Sequence, residues 1–138
     1  MNKMINSFDI DGVINMEGFD GVYPGPNDII ITGRSKMEEP ETMAMLKSKG
    51  IENEVYFNPL PFDQKTRESS GQHKARTLLY LEELGYRFGI HFEDDPVQAE
   101  VIRKQMPHIN VVVLQHDLVE KENVRRIDWS NKVEGRDG

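Results

Sequence analysis

The stretch Ser7-Phe8-Asp9-Ile10-Asp11-Gly12-Val13 decides how the rest of this sequence is interpreted. It ends a short apolar run, so residues 4–10 are predicted to form a buried strand. Asp9 and Asp11 then lie at its carboxyl end, where open α/β sheets bind their ligands. Both side chains leave the extended backbone on the same side because side-chain direction repeats every two residues. Since two neighbouring carboxylates repel each other unless a proton or a cation lies between them, the pattern predicts a metal site.

Composition and charge are those of a soluble protein with one domain. The 138 residues are enough to enclose a core. The chain has no apolar run of the ~18–20 residues that a membrane helix needs, and no apolar secretory segment at its start. The absence of cysteine fits a reducing cytosol, so a cytoplasmic location is expected. A net charge of −7 disfavours a broad nucleic-acid-binding face but allows a phosphorylated small molecule or a single nucleic-acid end.

Strand-like and helix-like segments alternate along the chain, which predicts a parallel sheet with right-handed crossovers. Strands are expected at residues 4–10, 28–32, 54–57, 87–92 and 110–114. The first expected helix has Pro40 in its first turn and Met43, Leu46 and the stem of Lys47 on its inward face. The second is capped by Ser69 or Ser70, has Ala75, Leu78, Leu79 and Glu82 at helical spacing, and runs to Leu84; the third covers residues 96–105. The predicted fold class is α/β, a Rossmann-like three-layer α/β/α arrangement with a five-stranded, mostly parallel sheet.

Three segments lie outside this alternation. Residues 12–26 are rich in glycine and proline, which predicts a short hairpin or a plain surface loop. Residues 58–70 form a polar connection long enough to be functional or mobile. The domain is expected to span residues 1–116, and residues 117–138 to be a partly flexible C-terminal extension with a short helix near its start.

Asp9, Asp11 and Gly12 allow two interpretations when taken alone. The Asp-x-Asp-Gly pattern occurs in calcium-binding turns as well as in catalytic sites. An EF-hand loop needs its glycine at the sixth position and a closing glutamate. Here the glycine is fourth and a buried strand precedes it, so the EF-hand interpretation is excluded.

Two further clusters carry groups that suit an anion. Thr32-Gly33-Arg34 follows a buried strand and offers a hydroxyl, a backbone N–H and a guanidinium, which together would cradle a phosphate. A strand-ending turn with a surface arginine is the alternative. Lys74 lies in the first turns of its helix, where a cation opposes the helix dipole, so an anionic partner would account for it. The alternative for Lys74 is an ordinary solvated lysine.

Glu93-Asp94-Asp95 place three acids between an apolar strand and a helix that starts at Pro96. Helix capping by Asp95 and charge complementarity at the helix start explain one or two of them. Three acids are better explained if one or two bind a cation.

Of the four histidines, His73 is expected on an exposed helix face and His91 within the sheet, and none is assigned a role.

The order of these clusters along the chain resembles the haloacid dehalogenase (HAD) superfamily of phosphotransferases. The resemblance covers residues 5–114 and lies in the succession Asp-x-Asp-Gly, Thr-Gly-Arg, Lys and Glu-Asp-Asp, each at a predicted strand end or helix start. A response-regulator receiver also uses acids, Thr and Lys around magnesium. Its acidic pair comes first, however, and its phosphorylated aspartate stands alone on a later strand, which does not fit.

The resemblance implies a role for each matching residue. Asp9 would be the nucleophile that forms an aspartyl-phosphate, and Asp11 the general acid and base. Thr32 and the Gly33 N–H would hold the phosphoryl oxygens, with Arg34 contacting substrate and Lys74 neutralising negative charge. Mg²⁺ would be held by the Asp9 carboxylate, the Asp11 backbone carbonyl and Asp94, with Glu93 or Asp95 assisting through water.

The resemblance also implies a small phosphomonoester hydrolase without a cap domain. Only about twenty residues separate Asp11 from Thr32, too few for a helical cap. Such members have open sites and act on large substrates or are covered by a partner subunit, here a second copy of the chain. The Phe19/Tyr23 turn and residues 62–67 are candidate substrate contacts, and Thr-Gly-Arg is similar to the motif of polynucleotide 3′-phosphatases and some nucleotidases. The substrate would be a nucleotide, a nucleic-acid phosphate end or a small phosphorylated metabolite; the alternative function is a phosphate- or metal-binding module without turnover.

Overall fold

A five-stranded, fully parallel sheet forms the centre of the protein in a computed structural model that describes residues 4–114 and 116. The chain contains β1 (Met4–Phe8), β2 (Asn15–Met16), β3 (Phe19–Asp20), β4 (Ile29–Ser35), α1 (Glu39–Ser48), β5 (Val55–Asn58), α2 (Arg67–Glu83), β6 (Arg87–Glu93), α3 (Pro96–Gln105) and β7 (Asn110–Val113). The spatial order is β5-β4-β1-β6-β7, so the first strand in sequence lies in the middle. The expectations for residues 117–138 lie outside the described residues.

Helices cover both faces of the sheet, and each face has its own apolar core. Ile29 and Ile31 point to one side, where they pack with Leu78 of α2 and Ile102 of α3. Between them Ile30 points to the other side, where the core continues as Phe8, Ile10, Val13, Ile14, Leu46 and Ile51. This alternation explains why 29–31 is a continuous apolar run. The predicted α/β, Rossmann-like arrangement is confirmed.

The second helix begins earlier than expected. Thr66, not Ser69 or Ser70, is the N-cap: its side chain accepts from the Ser69 N–H at 3.0 Å, while Ser69 Oγ accepts from the Thr66 N–H at 2.8 Å. The Ser69 hydroxyl thus completes a capping box, a role usually taken by Glu or Gln. Because α2 starts at Arg67, Lys74 lies about two turns into the helix.

Two predicted inward faces need correction. In α1 the buried side chains are Thr42 and Leu46, whereas Met43 is exposed and Lys47 lies in solvent. In α2 Ala75 and Leu78 are buried as expected, but the face continues through Leu81, and Leu79 is 48% exposed. The neighbouring apolar positions 78, 79 and 81 do not by themselves define which side faces the sheet.

Residues 12–26 contain a short hairpin, which is one of the two alternatives that the sequence left open for this segment. β2 and β3 pair antiparallel through Asn15 with Asp20 and Met16 with Phe19. The Phe19 side chain is 63% exposed, so the hairpin projects from the core. No helix within the described residues is long and apolar enough to cross a bilayer.

Candidate metal centre

Three carboxylates meet at the carboxyl-terminal edge of the sheet, in the interior of the protein. Asp9 follows β1, Glu93 ends β6, and Asp94 comes next in the chain. One ligand oxygen from each lies within 4.8 Å of the others, and all three residues are buried. Asp9, Glu93 and Asp94 are called the carboxylate cluster below.

A register shift between β1 and β6 determines which side chains meet. Ile5 pairs with Phe88, yet Ser7 pairs with His91, so two residues of β1 correspond to three of β6. An extra residue exchanges the faces of a strand beyond it. In a regular strand Phe88 and Phe92, four residues apart, would face the same side of the sheet. Here Phe88 packs in the core covered by α2 and α3, whereas Phe92 packs against the core on the opposite face.

The shift brings the acids of the two strands together. If the pairing of Ile5 with Phe88 continued unchanged along the two strands, the Glu93 side chain would point to the face of the sheet opposite Asp9. Because β6 contains one extra residue, the Glu93 side chain lies on the same face as Asp9. Asn6 supports the irregular backbone, since its Oδ1 accepts from the Ile90 N–H at 3.0 Å. A Cβ on Gly89 would lie 3.3 Å from the same oxygen, so glycine leaves room for this contact.

Lys74 reaches the carboxylate cluster from α2. Its side chain is fully buried, with Nζ 2.9 Å from Glu93 Oε1 and 3.2 Å from Asp9 Oδ1. A buried ammonium is costly unless it is paired and hydrogen-bonded. Lys74 is therefore a fixed counter-charge of the carboxylate cluster, not a solvated surface lysine.

Glu93 is held by two donors on one oxygen. Oε1 receives Lys74 and also His91 Nε2 at 3.0 Å. Burial opposes ionisation, but the charge of Lys74 and the hydrogen bond from His91 outweigh it and lower the pKa of Glu93 to about 2. Its Oε2 is buried and has no hydrogen-bond partner among the described residues.

Asp9 has the opposite electrostatic environment. Burial, followed by the charge of Glu93, raises the pKa of Asp9 well above its ordinary value, against the opposing effect of Lys74. Its Oδ1 accepts from the Ile10 N–H at 2.8 Å, which fixes the carboxyl group after the strand. Three carboxyl groups and one ammonium leave excess negative charge, which a proton or a cation must balance.

Gly12 makes room for the third carboxylate. Its φ of +85° lies in the left-handed region, and a Cβ there would be 2.0 Å from Asp94 Oδ2. His116 Nε2 donates to the Gly12 carbonyl at 2.8 Å from the far end of the described chain. Any side chain at position 12 would displace Asp94.

Asp11 lies apart from the carboxylate cluster and is bound by Arg34. The guanidinium contacts both carboxylate oxygens, with Nε 2.9 Å from Oδ2 and Nη2 2.8 Å from Oδ1. Nη1 donates to Thr42 Oγ1 at 3.0 Å. The Asp11 side chain is 44% exposed, so solvent reaches this pair, in contrast to the buried carboxylate cluster.

Thr32 and Gly33 lie within strand β4, directly before Arg34. Thr32 is fully buried, and its Oγ1 accepts from the Arg34 N–H at 3.0 Å. Lys65 crosses from the 58–66 connection, and its buried Nζ donates to the Gly33 carbonyl at 2.9 Å. Nothing in the sequence pattern indicated that Lys65 would be buried, because the connection around it is polar.

Asp95 belongs to the helix start rather than to the carboxylate cluster. Its Oδ1 accepts from the Val97 N–H at 2.9 Å and so caps α3. Arg67 binds both of its oxygens, at 2.6 and 3.0 Å. Of the Glu93-Asp94-Asp95 run, the structure thus brings the first two to Asp9 and uses the third to tie α2 to α3.

The positions of two histidines can be compared with their prediction, and only that of His91 agrees with it. His91 lies in the sheet, with its Nδ1 2.7 Å from Ser7 Oγ, as the sequence indicated. His73, expected on an exposed face, is buried, and that expectation is wrong. Position 73 lies three residues after the buried Ser70 and eight before the buried Leu81, so it shares the face of α2 that packs against the sheet.

The donor set fits a hard divalent cation. Carboxylate oxygens are the ligands that Mg²⁺ and Ca²⁺ prefer, and no thiolate is present in the chain. The unpartnered Glu93 Oε2 and the surplus of negative charge both favour a bound cation.

Comparison with known proteins adds no assignment: no family model, no curated protein and no solved structure matches this chain.

Proposed function

We propose that the protein is a magnesium-dependent phosphomonoester hydrolase of the HAD type that acts through an aspartyl-phosphate on Asp9. The observation that carries the proposal is the carboxylate cluster around a fully buried Lys74 at the edge of the sheet where α/β proteins bind ligands. A bound Mg²⁺ would neutralise the phosphate and the attacking carboxylate. Asp9, Asp94 and Glu93 would hold it, with the Asp11 carbonyl as a further oxygen.

In the first half of the reaction, Asp9 attacks phosphorus and the bond from phosphorus to the leaving oxygen breaks. Protonated Asp11 gives its proton to that oxygen, so a neutral alcohol departs. The hydroxyl oxygen of a protonated carboxyl group accepts hydrogen bonds much more weakly than a carboxylate oxygen and must turn its proton toward the leaving group, so this step requires the guanidinium to release one of the two oxygens. The proposal therefore includes a movement of Arg34 when substrate binds.

In the second half, water attacks the phosphorus of the Asp9 phosphate. Asp11, now ionised, takes the proton of that water, and the bond between phosphorus and the Asp9 oxygen breaks. Lys74 lies against Asp9 in both halves and balances the charge that passes between carboxylate and phosphate. Thr32 Oγ and the Gly33 N–H are the proposed donors to the phosphoryl oxygens.

The site is proposed to be uncapped and open to large substrates. Between Asp11 and Thr32 the chain forms only the β2–β3 hairpin. The substrate proposed is a nucleotide, a nucleic-acid phosphate end or a small phosphorylated metabolite. A panel of phosphorylated metabolites, nucleotides and 3′-phosphorylated oligonucleotides would identify which of these is hydrolysed.

The direct test is hydrolysis of p-nitrophenyl phosphate with Mg²⁺ by wild type and by Asp9→Asn. We expect the variant to lose turnover while retaining its circular dichroism spectrum, because an amide cannot form the acyl phosphate. The control is Glu83→Gln, which neutralises an exposed acid at the far end of α2 and should keep wild-type turnover. Equal turnover by Asp9→Asn and wild type would refute the mechanism.

The contact between Arg34 and Asp11 supports a second candidate, a metal- and phosphate-binding module without turnover. Both oxygens of the proposed acid are occupied, as they would be if Asp11 served only to anchor β4 to the loop after β1. Beryllium fluoride with Mg²⁺ mimics an acyl phosphate and separates the two functions. Magnesium binding without turnover on any substrate of the panel and without trapping of the fluoride would support the module.

A further inference from the structure

We propose that His91, oriented by Ser7, is a positioning residue for Glu93 that turns the carboxylate oxygen Oε2 toward the metal. The inference rests on the metal centre of the proposed function and extends it to two residues that the reaction does not use. Ser7, His91 and Glu93 are each completely buried. They form one chain of contacts, from Ser7 Oγ to His91 Nδ1 at 2.7 Å and from His91 Nε2 to Glu93 Oε1 at 3.0 Å.

The partners assign the hydrogen positions on the imidazole. Because a carboxylate only accepts, His91 Nε2 must carry the hydrogen that points to Glu93. Nδ1 is then an acceptor, and the Ser7 hydroxyl donates to it. Ser7 thereby favours the one neutral tautomer in which His91 can hold the carboxylate, as outer-shell partners do for metal ligands.

The orientation of the Glu93 carboxylate determines which of its oxygens is available to a metal ion. Oε1 receives two donors, His91 and Lys74, while Oε2 has no partner among the described residues. A partial rotation of the carboxylate about its last side-chain bond would lengthen both contacts, so the two donors fix the orientation of its plane. His91 and Lys74 together therefore occupy Oε1 and leave the buried Oε2 available to a cation.

The register shift in β6 is what makes the arrangement available. It places His91 opposite Ser7 in the sheet and Glu93 two residues later on the same face. Asn6, which accepts from the displaced Ile90 N–H, stabilises the shift from the neighbouring strand. Two consecutive residues of β1 thus have separate roles: Asn6 stabilises the register shift, and Ser7 favours the tautomer of His91.

The test measures Mg²⁺ affinity by titration calorimetry and Mn²⁺ affinity by electron paramagnetic resonance, without any substrate. His91→Leu removes the donor to Glu93 and should weaken binding about 10- to 100-fold. His91→Gln keeps an N–H near the position of Nε2 and should restore affinity to within about threefold of wild type. Ser7→Ala should weaken binding about three- to tenfold, because the imidazole loses the donor that fixes its tautomer.

The matched control is His108→Leu. His108 also pairs with a glutamate, through Nε2 at 2.8 Å from Glu82 Oε1, but the pair is exposed and remote from the carboxylate cluster. Its removal should leave metal affinity unchanged. Far-ultraviolet circular dichroism and urea unfolding verify that each variant is folded at the temperature of titration.

The outcomes separate this inference from the function on which it rests. Wild-type metal affinity in both His91→Leu and Ser7→Ala overturns the positioning role and leaves the hydrolase proposal standing. Equal weakening by His91→Leu and His91→Gln also overturns it, since bulk packing would then be responsible. If His91→Leu does not fold, Ser7→Ala and His91→Gln decide. A wild-type protein that binds neither ion overturns both proposals, whereas metal binding without turnover overturns only the hydrolase.

Discussion

The planar guanidinium of Arg34 makes a bidentate contact with Asp11, in which Nε and Nη2 each donate to one carboxylate oxygen, while Nη1 donates to Thr42 Oγ1. Lysine would supply the charge but only a single point contact. If Arg34 positions the acid, Arg34→Lys lowers kcat about 10- to 100-fold with little change in KM. If Arg34 binds the substrate phosphate, the loss appears mainly in KM. Steady-state kinetics on p-nitrophenyl phosphate distinguish these cases, and unchanged kcat and KM would contradict both roles.

Removal of Lys74 leaves a buried excess of negative charge, so it should be costly for folding. We expect Lys74→Met to lower the free energy of unfolding by about 3–5 kcal/mol without metal, as when a buried ion pair loses one partner. Saturating Mg²⁺ should recover part of this loss, because it replaces the missing positive charge. Urea unfolding with and without Mg²⁺ measures both effects. Lys47→Met, at an exposed position on α1, is the control and should change stability by less than about 0.5 kcal/mol.

Gly12 and Gly18 provide a matched pair for the close approach of Asp94. Both have positive φ, +85° and +77°, but a Cβ on Gly18 meets nothing within 4 Å. Gly18→Ala should therefore cost only the left-handed backbone penalty of about 1–2 kcal/mol. Gly12→Ala should cost more and weaken Mg²⁺ binding, since Asp94 must move. Equal unfolding free energies and equal metal affinities for the two variants would contradict the steric argument.

His73 should make the protein sensitive to mild acid. Burial, with the nearby charge of Lys74, lowers the pKa of His73 to about 4. Because the unfolded chain takes up this proton near pH 6.5 and the folded chain only near pH 4, stability is lost as pH falls through that window. The integrated effect is roughly 3 kcal/mol. His73→Leu should remove it, which urea unfolding at pH 7 and pH 4.5 would test. Parallel pH dependence in variant and wild type would contradict the assignment.

The sheet could be predicted from sequence because its signals are local. The run at positions 29–31 alternates between two cores and needs apolar residues throughout, which marks a central strand. Pro96 and the Asp95 cap set the start of α3 at its predicted residue. Local sequence does not determine the buried face of α2, because its apolar side chains at 78, 79 and 81 do not share one face and only tertiary packing selects among them.

The composition of the site depended on information that no local pattern carries. Glu93 and Asp95 both flank Asp94 in the sequence. The one-residue shift beside Asn6 brings Glu93 to the face of Asp9. Asp95 is instead held at the start of α3, where it caps the helix and binds Arg67. A shift of this kind is a property of two paired strands, so neither strand alone reveals it. The contact of Arg34 with Asp11 was equally hidden, since Thr-Gly-Arg indicates a guanidinium near the site but not its partner.

The position of β1 has a consequence for synthesis of the protein. β1 leaves the ribosome before the other strands of the sheet, yet its neighbours in the sheet are β4 and β6. At about 5–20 residues per second, roughly 4 to 17 s separate Phe8 from Glu93 during translation. For that interval the central strand has an unpaired apolar edge that is open to aggregation. A ribosome stalled before β6 would therefore present an aggregation-prone nascent chain that also lacks two of the three residues of the carboxylate cluster.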